Sequence, residues 1–137
     1  MEKREYSLFL GGTCQGHDWR LDLIPMLNKN IKYFDPYLRN GEEWNEAAKL
    51  RERVKRKTSD YVLYVLTSDC VKIPYSIAEV VDDSNKNPLG TILYINLEGF
   101  NKKEVNSANE IKNLCKRNGA KICESLEEIA EYMNNLW

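Results

Sequence analysis

The side chains that can do chemistry gather in Tyr75 to Asn87, YSIAEVVDDSNKN, where Glu79 is followed closely by Asp82 and Asp83. Ser76-x-x-Glu79 fits a capping box, in which the glutamate accepts from the Ser76 amide at a helix start. The positive end of the helix dipole also keeps a carboxylate there ionised. An ionised carboxylate in that place can cap the helix, anchor a sugar hydroxyl or attack an anomeric carbon. The capping role and the chemical roles are compatible. Asp83 lies four residues from Glu79 and shares its face. Like charges at that spacing are mildly destabilising, so something should offset them. The alternative is that Asp82, Asp83 and Ser84 simply end the helix in solvent.

Other candidates sit in loops. Asp69 follows the apolar run Tyr61–Leu66 and reads either as a general acid or as a turn former. Asp35, before Pro36, has the same choice between hydroxyl binding and turn chemistry. Gly11-Gly12-Thr13 offers close backbone approach and a hydroxyl. GGTCQG is neither a dinucleotide fingerprint nor a P-loop. Tyr75 can stack on a base or bond a carboxylate. Trp19 and Trp44 read as helix-packing residues, Trp44 also as a pocket roof, and the single histidine, His17, as a loop residue. Four widely spaced cysteines with one histidine argue against a zinc site and for reduced thiols in a cytoplasmic protein. No metal and no cofactor is expected.

The elements that must position these residues alternate. Strands are expected at Tyr6–Leu10, Ile31–Phe34, Tyr61–Leu66, Thr91–Asn96 and Ala120–Ile122. Helices are expected at Trp19–Leu27, Trp44–Lys57, Ser76–Ser84, Glu104–Arg117 and Leu126–Leu136. Asp18 reads as the cap of the first helix and Gly119 as the end of the fourth. Ser125 and Glu128 form a capping box for the last. In the second helix, Trp44, Ala47, Ala48, Leu50 or Arg51, and Val54 are assigned to the core. The basic stretch Arg51–Lys57, with Glu42, Glu43 and Glu46 upstream, reads as a solvated face. Five strands alternating with helices imply a single α/β domain over residues 1–137. Right-handed crossovers make it a doubly wound, five-stranded parallel sheet of flavodoxin-like order 2-1-3-4-5. Strands 1 and 3 flank the switch point, so the loops after them should form the ligand pocket.

Composition narrows the partners. The 20 basic and 21 acidic residues nearly cancel to a formal charge of −1, which leaves no basic field for a polynucleotide. No apolar run approaches the roughly 20 residues of a membrane span. The N-terminus MEKREYSLFLGG lacks a signal-peptide pattern.

LFLGGTCQGHDWRLDLIPML, YFDP, DYVLYVLTSDC, YSIAEVVDDSNKNP and TILYI together resemble the nucleoside 2-deoxyribosyltransferase-like family over residues 7 to 97. Tyr75 to Pro88 is the most specific part. The resemblance implies transfer or hydrolysis of the N-glycosidic bond of a 2′-deoxynucleoside or deoxynucleotide, with a covalent deoxyribosyl ester on Glu79. It implies a pocket shaped by Gly11, Gly12 and Thr13, with Asp69 near the place of the residue that protonates the base. Asp35, Tyr75, Ser76 and Asp83 are carried as substrate-binding candidates. A homo-oligomer is also expected, with a neighbour's C-terminal segment, here Asn134, Asn135 or Trp137, completing the pocket. The chain has Pro74-Tyr75-Ser76 where the better-known enzymes have a glycine-rich entry, and its loop around Asp69 is spaced differently. These departures motivate the alternative, a non-catalytic module that binds a nucleotide or another ribose-containing ligand in the same pocket.

Overall fold

The computed structural model describes residues 3–14, 16–38 and 43–137. Gln15 of the glycine turn and Glu42 upstream of the basic helix lie outside them. Five strands, β1 (Tyr6–Gly12), β2 (Ile31–Phe34), β3 (Tyr61–Leu66), β4 (Thr91–Ile95) and β5 (Lys121–Ile122), form one sheet in the order β2-β1-β3-β4-β5. Every pairing is parallel. The architecture is the doubly wound one that the alternation of elements predicts. The central β3, YVLYVL, is apolar throughout because both of its faces are covered.

The helices are α1 (Trp19–Leu23), α2 (Glu46–Thr58), α3 (Tyr75–Lys86), α4 (Lys102–Asn118) and α5 (Leu126–Asn134). On one face, Leu8, Leu10, Leu63, Val65 and Ile92 pack with Trp19, Leu23, Ile129 and Met133 of α1 and α5. On the other, Phe9, Val62, Tyr64, Leu66 and Leu93 pack with Val80, Ala108 and Cys115 of α3 and α4. Each fully buried Leu or Ile is worth roughly 1.5–3 kcal/mol, so these two layers dominate the stability. The four cysteines are free thiols, and among the described residues no helix is long and apolar enough to cross a membrane.

Local signals set the helix ends. Asn101 and Glu104 close a reciprocal capping box, which starts α4 at Lys102 rather than Glu104. Gly119 ends that helix in the left-handed region, at φ 107°. Ser125 accepts from the Glu128 amide, but the Glu128 carboxylate accepts from Glu124 instead of closing the expected box. Pro25 diverts the expected single helix after Trp19 into α1 and a 3-10 turn, Ile24–Met26.

The second helix departs most from expectation. Asn45 caps it, its side chain accepting from the Ala48 amide at 2.9 Å, so Trp44 precedes α2. Of the residues assigned to the core, Ala48 is buried as expected and the others are exposed. Leu50 is 55% and Val54 48% exposed, while Ala48 is buried. Glu52 and Arg56, four and eight residues beyond Ala48, continue its inward stripe and are only partly exposed. Polar side chains face inward here because the space beneath α2 is a charged cavity and not apolar core.

Gly12 ends β1 with φ +115°, and a Cβ there would lie 2.1 Å from the Val65 carbonyl oxygen. Gly12→Ala combines a left-handed strain with a backbone clash. A loss of about 3 kcal/mol is expected, read as a lower urea midpoint at unchanged m-value.

Candidate active site

The parallel sheet ends at its C-terminal edge in two adjacent loops, after β1 and after β3. The first is held closed from below. Arg20, buried at 1% exposure, donates from Nε to the Leu10 carbonyl at 2.9 Å and from a terminal nitrogen to the Thr13 carbonyl at 3.2 Å. Trp19 Nε1 donates to the same Thr13 carbonyl at 3.0 Å. The Thr13 amide continues the ladder to the Val65 carbonyl, and the Thr13 hydroxyl accepts from the Thr67 amide at 3.0 Å. The glycine turn is thereby fixed to both flanking strands.

Above it opens a cavity of about 420 Å3. Gly11, Gly12, Thr13 and Cys14 form one wall, Tyr75, Ser76 and Glu79 of α3 another, and Trp44 and Glu52 the side toward α2. Phe9, Tyr37 and Tyr64 add aromatic surface. The volume falls within the range of small-molecule sites.

Glu79 is the more buried partner of the ion pair on the cavity wall, its side chain only 16% exposed. It does not close a capping box. Helix α3 begins at Tyr75 after Pro74, and no side chain caps it. The Glu79 carboxylate instead accepts from the Arg56 guanidinium of α2. Asp83, one turn further along, accepts from the Tyr64 hydroxyl at 2.5 Å. These two contacts are the offset that the Glu79–Asp83 repulsion requires. Asp82 turns outward to Lys86 at 3.0 Å.

One guanidinium therefore serves a group of carboxylates. The Glu79 carboxyl is raised to about 7, by burial above all; Arg56 pulls against the rise, and Glu52 and Asp83 add to it. Burial also raises Glu52, against the pull of Arg56 and Arg20. Burial opposes the charge of Arg56 too, but Tyr64, Glu79 and Asp83 outweigh it and hold Arg56 protonated. Burial first, and then its bond to Asp83, lifts Tyr64 far above the usual phenol range, so Tyr64 is a fixed donor.

The expected site residues divide. Gly11, Gly12, Thr13, Tyr75, Ser76 and Glu79 meet on the cavity wall. Asp83 acts one layer behind it, through Tyr64. Asp35 lies beside a neighbouring recess, its Oδ1 accepting from the Tyr37 amide and standing 3.6 Å from Arg20 Nε. Asp69 is in the 3-10 turn Ser68–Val71, off the cavity wall, with its carboxylate toward Gly16. The C-terminal segment is at the opposite edge of its own chain's sheet. Asn134 accepts from the Asn28 amide at 2.8 Å, and the Trp137 carbonyl accepts from the Tyr6 hydroxyl. Sequence reasoning passed over Glu52 and Arg56. The signal was the i, i+4, i+8 spacing of Ala48, Glu52 and Arg56, hidden inside a basic run that reads as solvated.

The raised Glu79 carboxyl has a consequence for stability. Its folded value lies above the unfolded one, so its contribution is fully present below about 4.5 and is lost as pH rises through about 7. Relative to Glu79→Gln, the wild-type chain should lose about 3 kcal/mol between pH 4.5 and pH 8. Parallel urea titrations across that range measure it; curves that keep a constant separation would contradict the reading.

Comparison with solved structures finds a conserved protein from Enterococcus faecalis V583, 16% identical, with a TM-score of 0.55 over 94% of this chain and 97% of that one. At that identity the likeness establishes the fold. Comparison with curated proteins gives no match. A family model described as nucleoside 2-deoxyribosyltransferase like matches residues 5–86, a span that holds the glycine turn, α2, β3 and all of α3. With more than half of its length so matched, and with Glu79 inside the matched span, the chain belongs to the nucleoside 2-deoxyribosyltransferase-like family.

Proposed function

We propose that the protein breaks the N-glycosidic bond of a 2′-deoxynucleoside or deoxynucleotide and transfers the deoxyribosyl group to a second base or to water. The observation that carries this is Glu79, a largely buried carboxylate on the wall of a nucleoside-sized cavity in a chain of this family. A Glu79 oxygen bonds to C1′ as the C1′–N bond breaks, and the bonding pair leaves with the base. The departing nitrogen needs a proton. We assign that proton to Glu52, the other carboxylate on the cavity wall. Burial raises Glu52, and the charge of Glu52 in turn raises Glu79, so the two acids titrate as a pair that holds on to a proton. In the second half-reaction the acceptor attacks C1′, Glu79 leaves as a carboxylate, and Glu52 recovers a proton from the acceptor.

The remaining residues have positioning roles. Arg56 lowers the nucleophilicity of Glu79 in the first step but stabilises it as a leaving group in the second. Gly11 and Gly12 permit close approach of the sugar, Thr13 and Ser76 offer hydroxyls, and Tyr37, Trp44 and Tyr75 present rings to a base. One observation favours a second reading. The Arg56 guanidinium already occupies Glu79, as it would in a module that only binds a nucleotide. Stabilisation by nucleotides in a thermal-shift assay, without turnover and unchanged by Glu79→Gln, would select that reading.

Glu79→Gln should lower kcat by about 10^3-fold or more, the scale of removing a nucleophile and its transition-state stabilisation. Since the ionised form attacks, kcat/KM should rise with pH through about 7, where Glu79 titrates. Glu52→Gln should slow cleavage of natural nucleosides by about 10^2–10^4-fold, but slow substrates whose leaving group needs no proton far less. Equal losses on both substrate classes would remove the acid role from Glu52.

A further inference from the structure

Glycosyl transfer takes from Arg56 the partner it holds at rest. The largely buried guanidinium donates to the Glu79 carboxylate. When a Glu79 oxygen bonds to C1′, that carboxylate becomes a neutral ester and the cation loses its counter-charge. An unpaired buried charge is unfavourable by several kcal/mol, so the ester forms readily only if another anion receives Arg56. Two are near. Glu52, four residues before Arg56 on α2, is ionised once it has given its proton to the base. It must then take a proton from the acceptor, and a guanidinium bound to it would weaken it as a base. The charge of Arg20 also already acts on Glu52. The other is Asp83, held by the Tyr64 hydroxyl at 2.5 Å. Tyr64 stands on β3, buried and on the cavity wall. Its oxygen donates its proton to Asp83 and keeps lone pairs that accept from a guanidinium. Both groups already act on Arg56, Asp83 through its charge and Tyr64 through a side-chain hydrogen bond.

We infer, on the reading of Glu79 as the nucleophile, that Asp83 acting through Tyr64 is a positioning residue, the counter-anion onto which Arg56 swings while Glu79 carries the deoxyribosyl group. Asp83 is one turn from Glu79 on the same face of α3, so Arg56 passes from one to the other by rotation of its own side chain. At rest the Tyr64–Asp83 pair competes for Arg56 and loosens its grip on the nucleophile. In the ester it keeps Arg56 charged, close and off Glu52. When the acceptor attacks C1′ and the C1′–O bond breaks, its electron pair returns to Glu79, and Arg56 returns with it.

Asp83→Asn should slow the burst of base release that reports ester formation by about 10–100-fold, the scale of one hydrogen bond to a charged group, with KM little changed. Glu79 is faced by Arg56 and Glu52 from α2 and by Asp83 from its own helix. Removing the Asp83 charge leaves Arg56 wholly on Glu79 and takes away a like charge, so the acid limb of kcat/KM should move to lower pH. Asp83→Glu, which restores the charge, should move the limb back. A merely structural Asp83 would lower stability and leave the limb in place.

A second measurement needs no substrate. Glu79→Gln gives the site the charge state of the ester. In that background, urea midpoints at pH 8 for Asp83→Asn, Arg56→Met and the two combined form a double-mutant cycle. Asp83→Asn should lower the midpoint while Arg56 is present and leave it unchanged once Arg56 is Met. The same cycle with Glu52→Gln should show the weaker coupling. Absent coupling between Asp83 and Arg56, stronger coupling of Arg56 to Glu52, or an acid limb that Asp83→Asn does not move each overturns the role of Asp83 in a chain that turns over nucleosides. A wild-type chain without turnover overturns the glycosyl-transfer reading, and the role of Asp83 with it, whatever the cycles give.

Discussion

A single shared cation organises the site. Arg56 crosses from α2 to reach Glu79 on α3, while Tyr64 from the strand between them holds Asp83. Without Arg56, Glu79 would be a largely buried carboxylate with Glu52 and Asp83 nearby and Arg20 turned to the glycine loop and Glu52, and an unpaired buried charge costs several kcal/mol. With it, the group stays short of one positive charge. Burial, with that deficit added to it, keeps Glu79 titrating near neutrality rather than locked as a permanent ion pair. Structural stability and chemical readiness oppose each other at this residue.

The backbone around that cation is correspondingly constrained. The chain reverses sharply after β1, and Gly12 passes so close to Val65 that no side chain fits. Arg20, buried under the turn, holds the Leu10 and Thr13 carbonyls in place. The cavity floor is therefore rigid. Its far wall, α2, rests on one buried side chain, Ala48, and on the Arg56–Glu79 contact. Polar contacts depend on exact geometry more than apolar packing does, so the position of α2 governs how Glu52 and Glu79 face each other.

Much of this was legible in the sequence. The alternation of apolar runs with amphipathic segments gives the sheet order, because handedness leaves few other ways to connect five parallel strands. Glu79 stood out as a carboxylate at a helix start past a central strand, opposite a glycine turn, and the Glu79–Asp83 spacing announced that a partner was needed. The partner itself was hidden. Arg56 lies in a run of basic residues, and periodicity places Ala47, Leu50 and Val54 on the core side of their helix together with Ala48, which alone of the four is buried. Only the Asn45 cap and the polar cavity reverse that assignment, and both depend on tertiary placement. Ser76-x-x-Glu79 misled for a related reason. A local pattern offered Glu79 a backbone amide, and a long-range guanidinium offered it a charge-assisted bond, the stronger of the two.

The central claim is that Glu79 forms a bond to the sugar. The direct measurement is intact-protein mass spectrometry after incubation with 2′-deoxy-2′-fluoronucleosides bearing purine and pyrimidine bases, whose fluorine slows breakdown of a glycosyl ester. The account predicts a mass increase equal to one fluorodeoxyribosyl group, located on the peptide containing Glu79 and absent from Glu79→Gln. An unchanged mass across the whole panel, or an adduct that persists in Glu79→Gln, would contradict it.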